Sequence, residues 1–95
     1  MFPMNPVHAQ AVLSIIIRLY DAGIPYQPLS LYEGWQLRFP WDEGDVACHA
    51  GTYGNAAGMV ETYQFPWDNG DVSALTPEEC AGRIIAYYNE IKSSL

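Results

Sequence analysis

Two helix-start signals lie near opposite ends of this 95-residue chain and leave its middle to another kind of structure. Asn5-Pro6 puts a capping side chain before a proline at the first helical position, where the missing N–H costs nothing and the fixed φ suits a helix. Thr76-Pro77-Glu78-Glu79 repeats the arrangement, with Glu79 at the third position, placed to reach back in a capping box. After the first signal, Val12, Ile15, Ile16, Leu19 and Tyr20 recur at helical spacing, and Leu13 and Ile17 widen the stripe, as in a helix laid across a sheet. Gly23 suits a left-handed end, Ile24 is placed to touch Leu19 across it, and Pro25 blocks continuation. After the second signal, Ala81, Ile84, Ile85, Tyr88 and Ile91 line one face.

Between the helices the period changes to two. Trp35, Leu37 and Phe39 alternate with Gln36 and Arg38 as in a half-buried strand, and residues 29–32 fit a short preceding strand with Glu33-Gly34 as its turn. Residues 46–50 can form the next strand, residues 51–58 make a glycine-punctuated connection, and residues 59–65 alternate again. The expected fold class is α+β, one domain over residues 1–95. It runs helix, three- to four-stranded antiparallel sheet, helix, with both helices on one face because neither can bury its stripe alone. A chain of this length has room for one core.

The middle also writes one segment twice. Residues 39–46 read FPWDEGDV and residues 65–72 read FPWDNGDV, differing only at Glu43 and Asn69. Turn chemistry alone accounts for every letter. Phe faces inward, Pro stops ladder pairing, Trp covers the sheet end, and Asp-x-Gly-Asp turns tightly with Asp bonded to nearby amides and Gly at positive φ. Many sequences make such turns, however, and the flanks share no identity. If both copies leave the same end of the sheet, Asp42, Glu43, Asp45, Asp68 and Asp71 form one acidic rim beside Trp41 and Trp67. With exposed Tyr53 on the connecting loop, these are the candidate partner-binding residues. Asp68-Asn69-Gly70-Asp71 lacks the alternating oxygen ligands and terminal glutamate of a calcium loop, so neither a metal nor a cofactor is expected.

Net charge narrows the partners. Eleven acidic residues against Arg18, Arg38, Arg83 and Lys92 give −7, and the pI is near 4.4. Binding to a nucleic-acid backbone or an anionic membrane needs a basic patch, so a basic protein surface is the expected partner. The hydrophobic fraction of 49% and aromatic fraction of 14% argue for an ordered chain. MFPMNPVHAQ carries no signal-peptide pattern and Ile15-Ile16-Ile17 is too short to span a bilayer, which leads us to expect a soluble, cytoplasmic protein.

Catalytic motifs are incomplete. Cys48 and His49 are neighbours on a strand and point to opposite faces, and a lone His8 in a first helical turn reads as a surface residue. Cys80 lies near a helix N-terminus, but Glu78 and Glu79 oppose any lowering of its thiol pKa. Residues 51–58 lack the Lys-Ser/Thr ending of a phosphate loop and precede a strand.

The order helix, antiparallel strands, helix, with carboxylates gathered at loops, resembles the small phage or mobile-element inhibitors of bacterial defence. Among these, some anti-CRISPR proteins occupy basic nucleic-acid grooves with acidic surfaces. The resemblance covers organisation and charge along the whole chain and implies a non-enzymatic inhibitor whose target is a basic, nucleic-acid-binding protein. A second expectation is a small-ligand binder with a pocket lined by Trp35, Tyr53, Tyr63 and Tyr87, across a homodimer if one forms. An enzyme built around Cys48 or His49 is the third.

Overall fold

The computed structural model describes residues 4–94, so residues 1–3 and 95 of the expected domain lie outside the described residues. Helix α1 (Pro6–Asp21) is followed by strands β1 (Gln27–Leu31), β2 (Gly34–Phe39), β3 (Asp42–Cys48), β4 (Val60–Tyr63) and β5 (Val72–Leu75), then by helix α2 (Pro77–Ser93). The strands form one antiparallel meander in chain order. The fold is α+β, with five strands where the sequence suggested three or four. Strand β5 escaped detection because half of it, Ser73-Ala74, has no strand preference and its first residue belongs to the repeat. It is defined by its pairing with β4, Tyr63 opposite Val72 and Val60 opposite Leu75.

Both helices begin as their signals specify. Asn5 Oδ1 accepts the Val7 N–H at 2.8 Å, and Thr76 Oγ1 accepts the Glu79 N–H at 3.2 Å. The capping box is not completed, since the Glu79 carboxylate turns outward to Arg83, 3.3 Å away and one helical turn on. At the end of α1, Gly23 adopts φ +72°. The Ile24 N–H reaches the Leu19 carbonyl and the Gly23 N–H that of Tyr20, both at 3.0 Å, the paired bonds of a Schellman end.

Strand register sorts the sheet into two faces. Trp35, Leu37, Val46, Cys48, Val60, Thr62 and Leu75 share the covered face, where they are 5% exposed or less. They pack with Ala11, Val12, Ile15 and Leu19 of α1 and with Cys80, Ala81 and Ile84 of α2, so the helices lie side by side on that face. Burying side chains of this size contributes about 1.5–3 kcal/mol each before entropy is counted. Gln36, Arg38, Asp45, Ala47, Glu61, Tyr63, Val72 and Ala74 share the opposite face, over which neither helix of the described residues packs.

Three local readings change. Tyr20, expected within the apolar stripe of α1, and Leu13 and Ile17, expected to widen it, stand outside the core at 75%, 56% and 58% exposure, because α1 meets the core over a narrow arc only. His8 is buried rather than superficial. Its Nδ1 lies 3.1 Å from the Glu33 carbonyl oxygen, its Nε2 lies 3.1 Å from Asn55 Oδ1, and its own carbonyl accepts the Trp35 indole N–H at 2.6 Å. The β1–β2 turn is Tyr32-Glu33, one residue earlier than expected, with φ of +46° and +64°. Left-handed backbone at non-glycine residues costs about 1–2 kcal/mol each. The Asn5 N–H on the Glu33 carbonyl and the Ala50 N–H on the Tyr32 carbonyl hold the turn in place.

Candidate functional site

The two copies of the repeat leave the same end of the sheet, because β3 and β4 are antiparallel and Asp45 sits opposite Tyr63. They do not fold alike. In the first copy Pro40-Trp41 is a tight turn, and residues 42–45, expected to be a turn, run as strand with a register irregularity beside Phe39. In the second copy Pro66–Asp68 is a single 3-10 turn, and Asn69 and Gly70 follow at φ +52° and +82°. The neighbours decide the difference. Beside the first copy the ladder is resumed by Arg38 opposite Asp45, whereas Gln64, at φ +66°, kinks the chain before the second.

The aromatic residues of both copies meet under α2. Phe39 and Phe65 have ring centroids 5.9 Å apart, and Trp67 stacks on Phe65 at 4.5 Å. Trp41 and Trp67 lie 5.9 and 6.0 Å from the ring of Tyr87. Their indole N–H groups are both engaged, Trp41 with the Pro25 carbonyl and Trp67 with the Thr62 hydroxyl, each at 2.9 Å. Both tryptophans are therefore half-buried parts of the helix–sheet junction.

The carboxylates divide. Asp68 is buried, accepting the Thr62 hydroxyl at 2.8 Å and the Phe65 N–H at 3.1 Å. Asp42 accepts the Gly44 N–H and the Tyr87 hydroxyl, each at 2.9 Å. Burial, joined by that bond to Asp42, raises the Tyr87 phenol pKa. Glu43 and Asp71 are exposed, Asp71 accepting the Val72 N–H. Asp45 is half-buried on the uncovered face. Its pKa is raised chiefly by burial; Gln36 and Arg38 oppose this, and Asp68 and Glu61 add to it. Tyr53 is 75% exposed on the loop between β3 and β4, at the other end of the sheet from the repeats.

Asp45 connects two hollows. One, about 510 Å³, opens at the repeat end beside Arg38, Asp42, Glu43 and Gln64. The other, about 230 Å³, lies on the uncovered sheet face beside Leu31, Ala47, His49, Glu61 and Tyr63. Sequence reasoning missed Glu61 and Tyr63 as surface partners of Asp45. Their alternation in residues 59–65 was legible, but their placement beside Asp45 required the β3–β4 register, Asp45 to Tyr63 and Ala47 to Glu61.

No family model, curated protein or solved structure matches this chain.

The geometry of the site bears on the other candidate chemistries. Cys48 and Cys80 are free, fully buried thiols. Burial pushes the Cys48 pKa up to about 11 and is the largest cause of the rise of Cys80 to about 12. His49 lies on the other side of the strand from Cys48, its Nδ1 accepting the Gly51 N–H at 3.0 Å, and burial lowers its pKa. The four aromatic residues considered for a ligand pocket are dispersed. Trp35 is in the core, Tyr87 under the tryptophans, Tyr63 on the uncovered face and Tyr53 on the loop. Among the described residues no group of three or more His, Cys, Asp or Glu side chains could hold a metal ion. No helix among them is long and apolar enough to cross a membrane.

Proposed function

We propose that this chain is a non-enzymatic binding protein that docks a basic protein surface on the uncovered sheet face and the acidic rim at its end. The observation that carries the reading is the position of Asp45, which lines both hollows and so makes rim and face one surface. Glu43, Asp45, Glu61 and Asp71 supply negative charge there, and Arg38 is the cation among them, since Arg18 belongs to α1 and Arg83 and Lys92 to α2. Tyr63 and Val72, 42% and 41% exposed, supply apolar contact between the carboxylates. Charge of this kind steers encounter and fixes orientation, while a tyrosine anchors. The burial of Cys48 and Cys80 supports the non-enzymatic part of the reading, because a thiol held protonated is a poor nucleophile.

The finer reading is an inhibitor of phage or mobile-element origin acting in the cytoplasm on a nucleic-acid-binding host protein. Its support is the chain's charge and its organisation. Affinity capture from a bacterial lysate at low and high salt, with wild type and a Glu43→Lys/Glu61→Lys variant, tests both levels. A basic protein retained at low salt, released at high salt and lost by the variant is expected. Equal retention by the two proteins would remove the acidic surface as the docking site. Failure of added nucleic acid to compete for the captured protein would remove the inhibitor reading alone.

A further inference from the structure

The meander leaves two edge strands, β1 and β5, and strand register assigns their free backbone groups. Along an antiparallel edge strand, alternate residues turn both N–H and C=O away from the neighbour. On β5 the Val72 N–H donates to Asp71 Oδ1 at 2.8 Å instead of joining the ladder. Val72 and Ala74 therefore face outward, while Ser73 and Leu75 bond to Thr62 and Val60 of β4. Among the described residues, no loop, turn or side chain bonds the Ala74 N–H or the carbonyls of Val72 and Ala74.

The other edge is closed. The two-residue turn Tyr32-Glu33 shuts on the bonded pair Leu31 and Gly34, so Leu29 and Gln27 also bond inward and Ser30 and Pro28 face out. Pro28 has no N–H to offer, and the Tyr32 carbonyl is taken by the Ala50 N–H. A proline facing outward on an edge bars a further strand. The edge of β5 carries no such barrier.

Given a basic partner on the uncovered face, we propose that it enters as an extended, lysine- or arginine-bearing segment that pairs with β5 as a sixth strand; this rests on the docking reading and adds the partner's local form. Main-chain bonds hold such a strand, and its alternate side chains select it. On the uncovered face those side chains lie beside Val72 and Ala74, and Ala74 stands opposite Glu61 of β4. With only a methyl group at Ala74, the way across β5 is open. Two strand spacings, about 10 Å, separate a sixth strand from β4. A lysine stem crosses Ala74 and brings its ammonium to Glu61.

Charge fits this occupant. Glu61 accepts the Tyr53 N–H at 2.8 Å through Oε1, which fixes the carboxylate and leaves its second oxygen for a cation. Asp71 is exposed at the start of β5. Arg38, the cation of this face, sits on β2, three strands away from β5. The β5 of a second copy is unsuited to the place, because two chains of net charge −7 repel and its own flank carries Asp71 where a lysine is wanted.

A short end-blocked peptide of alternating valine and lysine, titrated into the isotope-labelled full chain, tests this by amide NMR and hydrogen exchange. Exchange of the Ala74 amide should slow about tenfold at saturation, and that of Ser73, already in the ladder, should hardly change. The same peptide N-methylated throughout keeps its charge but has no N–H to donate, and should bind about tenfold more weakly. Glu61→Gln should weaken the unmodified peptide about fivefold. Equal binding of the two peptides, or shifts at Glu61 and Tyr63 with no protection of Ala74, would overturn strand addition and leave docking on the face intact. Binding of neither peptide overturns it too. Failure of the docking reading is a separate result, read from lysate capture with the Glu43→Lys/Glu61→Lys variant.

Discussion

Asp42 and Asp68 occupy the same place in the repeat and hold different structures together: Asp42 ties the β2–β3 hairpin to the Tyr87 hydroxyl of α2, and Asp68 closes its own turn from inside the core. Neither is available as a free surface charge. The acidic surface that remains is made by Glu43, Asp45, Glu61 and Asp71.

The unequal burial of the two aspartates predicts unequal costs. Asp68→Ala leaves the Thr62 hydroxyl and the Phe65 N–H without their acceptor in a dry site and should cost about 2–3 kcal/mol, whereas Asp42→Ala, beside solvent, should cost about 1 kcal/mol. Denaturant titration of the two variants reads the difference directly. Equal costs would mean that Asp68 is not held as described.

The two glycines of the repeat are required for different reasons. A methyl group on Gly44 would come within 2.5 Å of the Phe65 ring, whereas one on Gly70 meets nothing within 4 Å but would have to adopt φ +82°. Gly44→Ala should therefore cost about 1–3 kcal/mol by overpacking. Gly70→Ala should cost about 1 kcal/mol by backbone strain. A compensating Phe65→Leu change should recover part of the loss at Gly44 and none at Gly70. Recovery at both positions, or at neither, would contradict this assignment.

The raised pKa of Asp45 makes a pH prediction. Because the folded chain holds the Asp45 proton more tightly than the unfolded chain, whose value is near 3.8, the charged carboxylate disfavours folding at neutral pH. That penalty sets in as pH rises through the folded value and is absent below the unfolded one. Asp45→Asn should accordingly raise the melting temperature at pH 7, and the gain should disappear as pH falls below 3.8. A gain that grows with acidity would reverse the sign of the argument.

Both thiols should be silent in the folded protein. With Cys48 and Cys80 at 0% exposure and their pKa values raised to about 11 and 12, a disulfide reagent at neutral pH should react only at the rate of unfolding. Two thiols should appear at once in denaturant. Fast modification of native Cys48 would reopen the possibility of chemistry at that position.

Local features were legible wherever the chain carries its own punctuation. Asn5-Pro6, Thr76-Pro77 and Gly23-Ile24 marked helix ends by capping chemistry that acts within a few residues. Trp35, Leu37 and Phe39 marked a strand by alternation. That both helices cover one face followed from the stripes they had to bury. What a stripe cannot reveal is which of its residues meet the core. The apolar arc of α1 is broader than its contact, so Leu13, Ile17 and Tyr20 could be assigned only once the sheet was in place.

The repeat divides local from tertiary control most clearly. Its letters determined, by themselves, an inward phenylalanine and a halt after it, because Phe seeks burial and Pro has no N–H to donate; both copies obey. Tertiary structure alone decided that residues 42–45 extend as strand while residues 68–71 turn, and that Asp45 lies beside Glu61. The reason is physical. A turn and an extended hairpin differ by little in local energy, so the pairing of β3 with β2 and β4, and the packing of Phe65 against Gly44, settle which one each copy adopts.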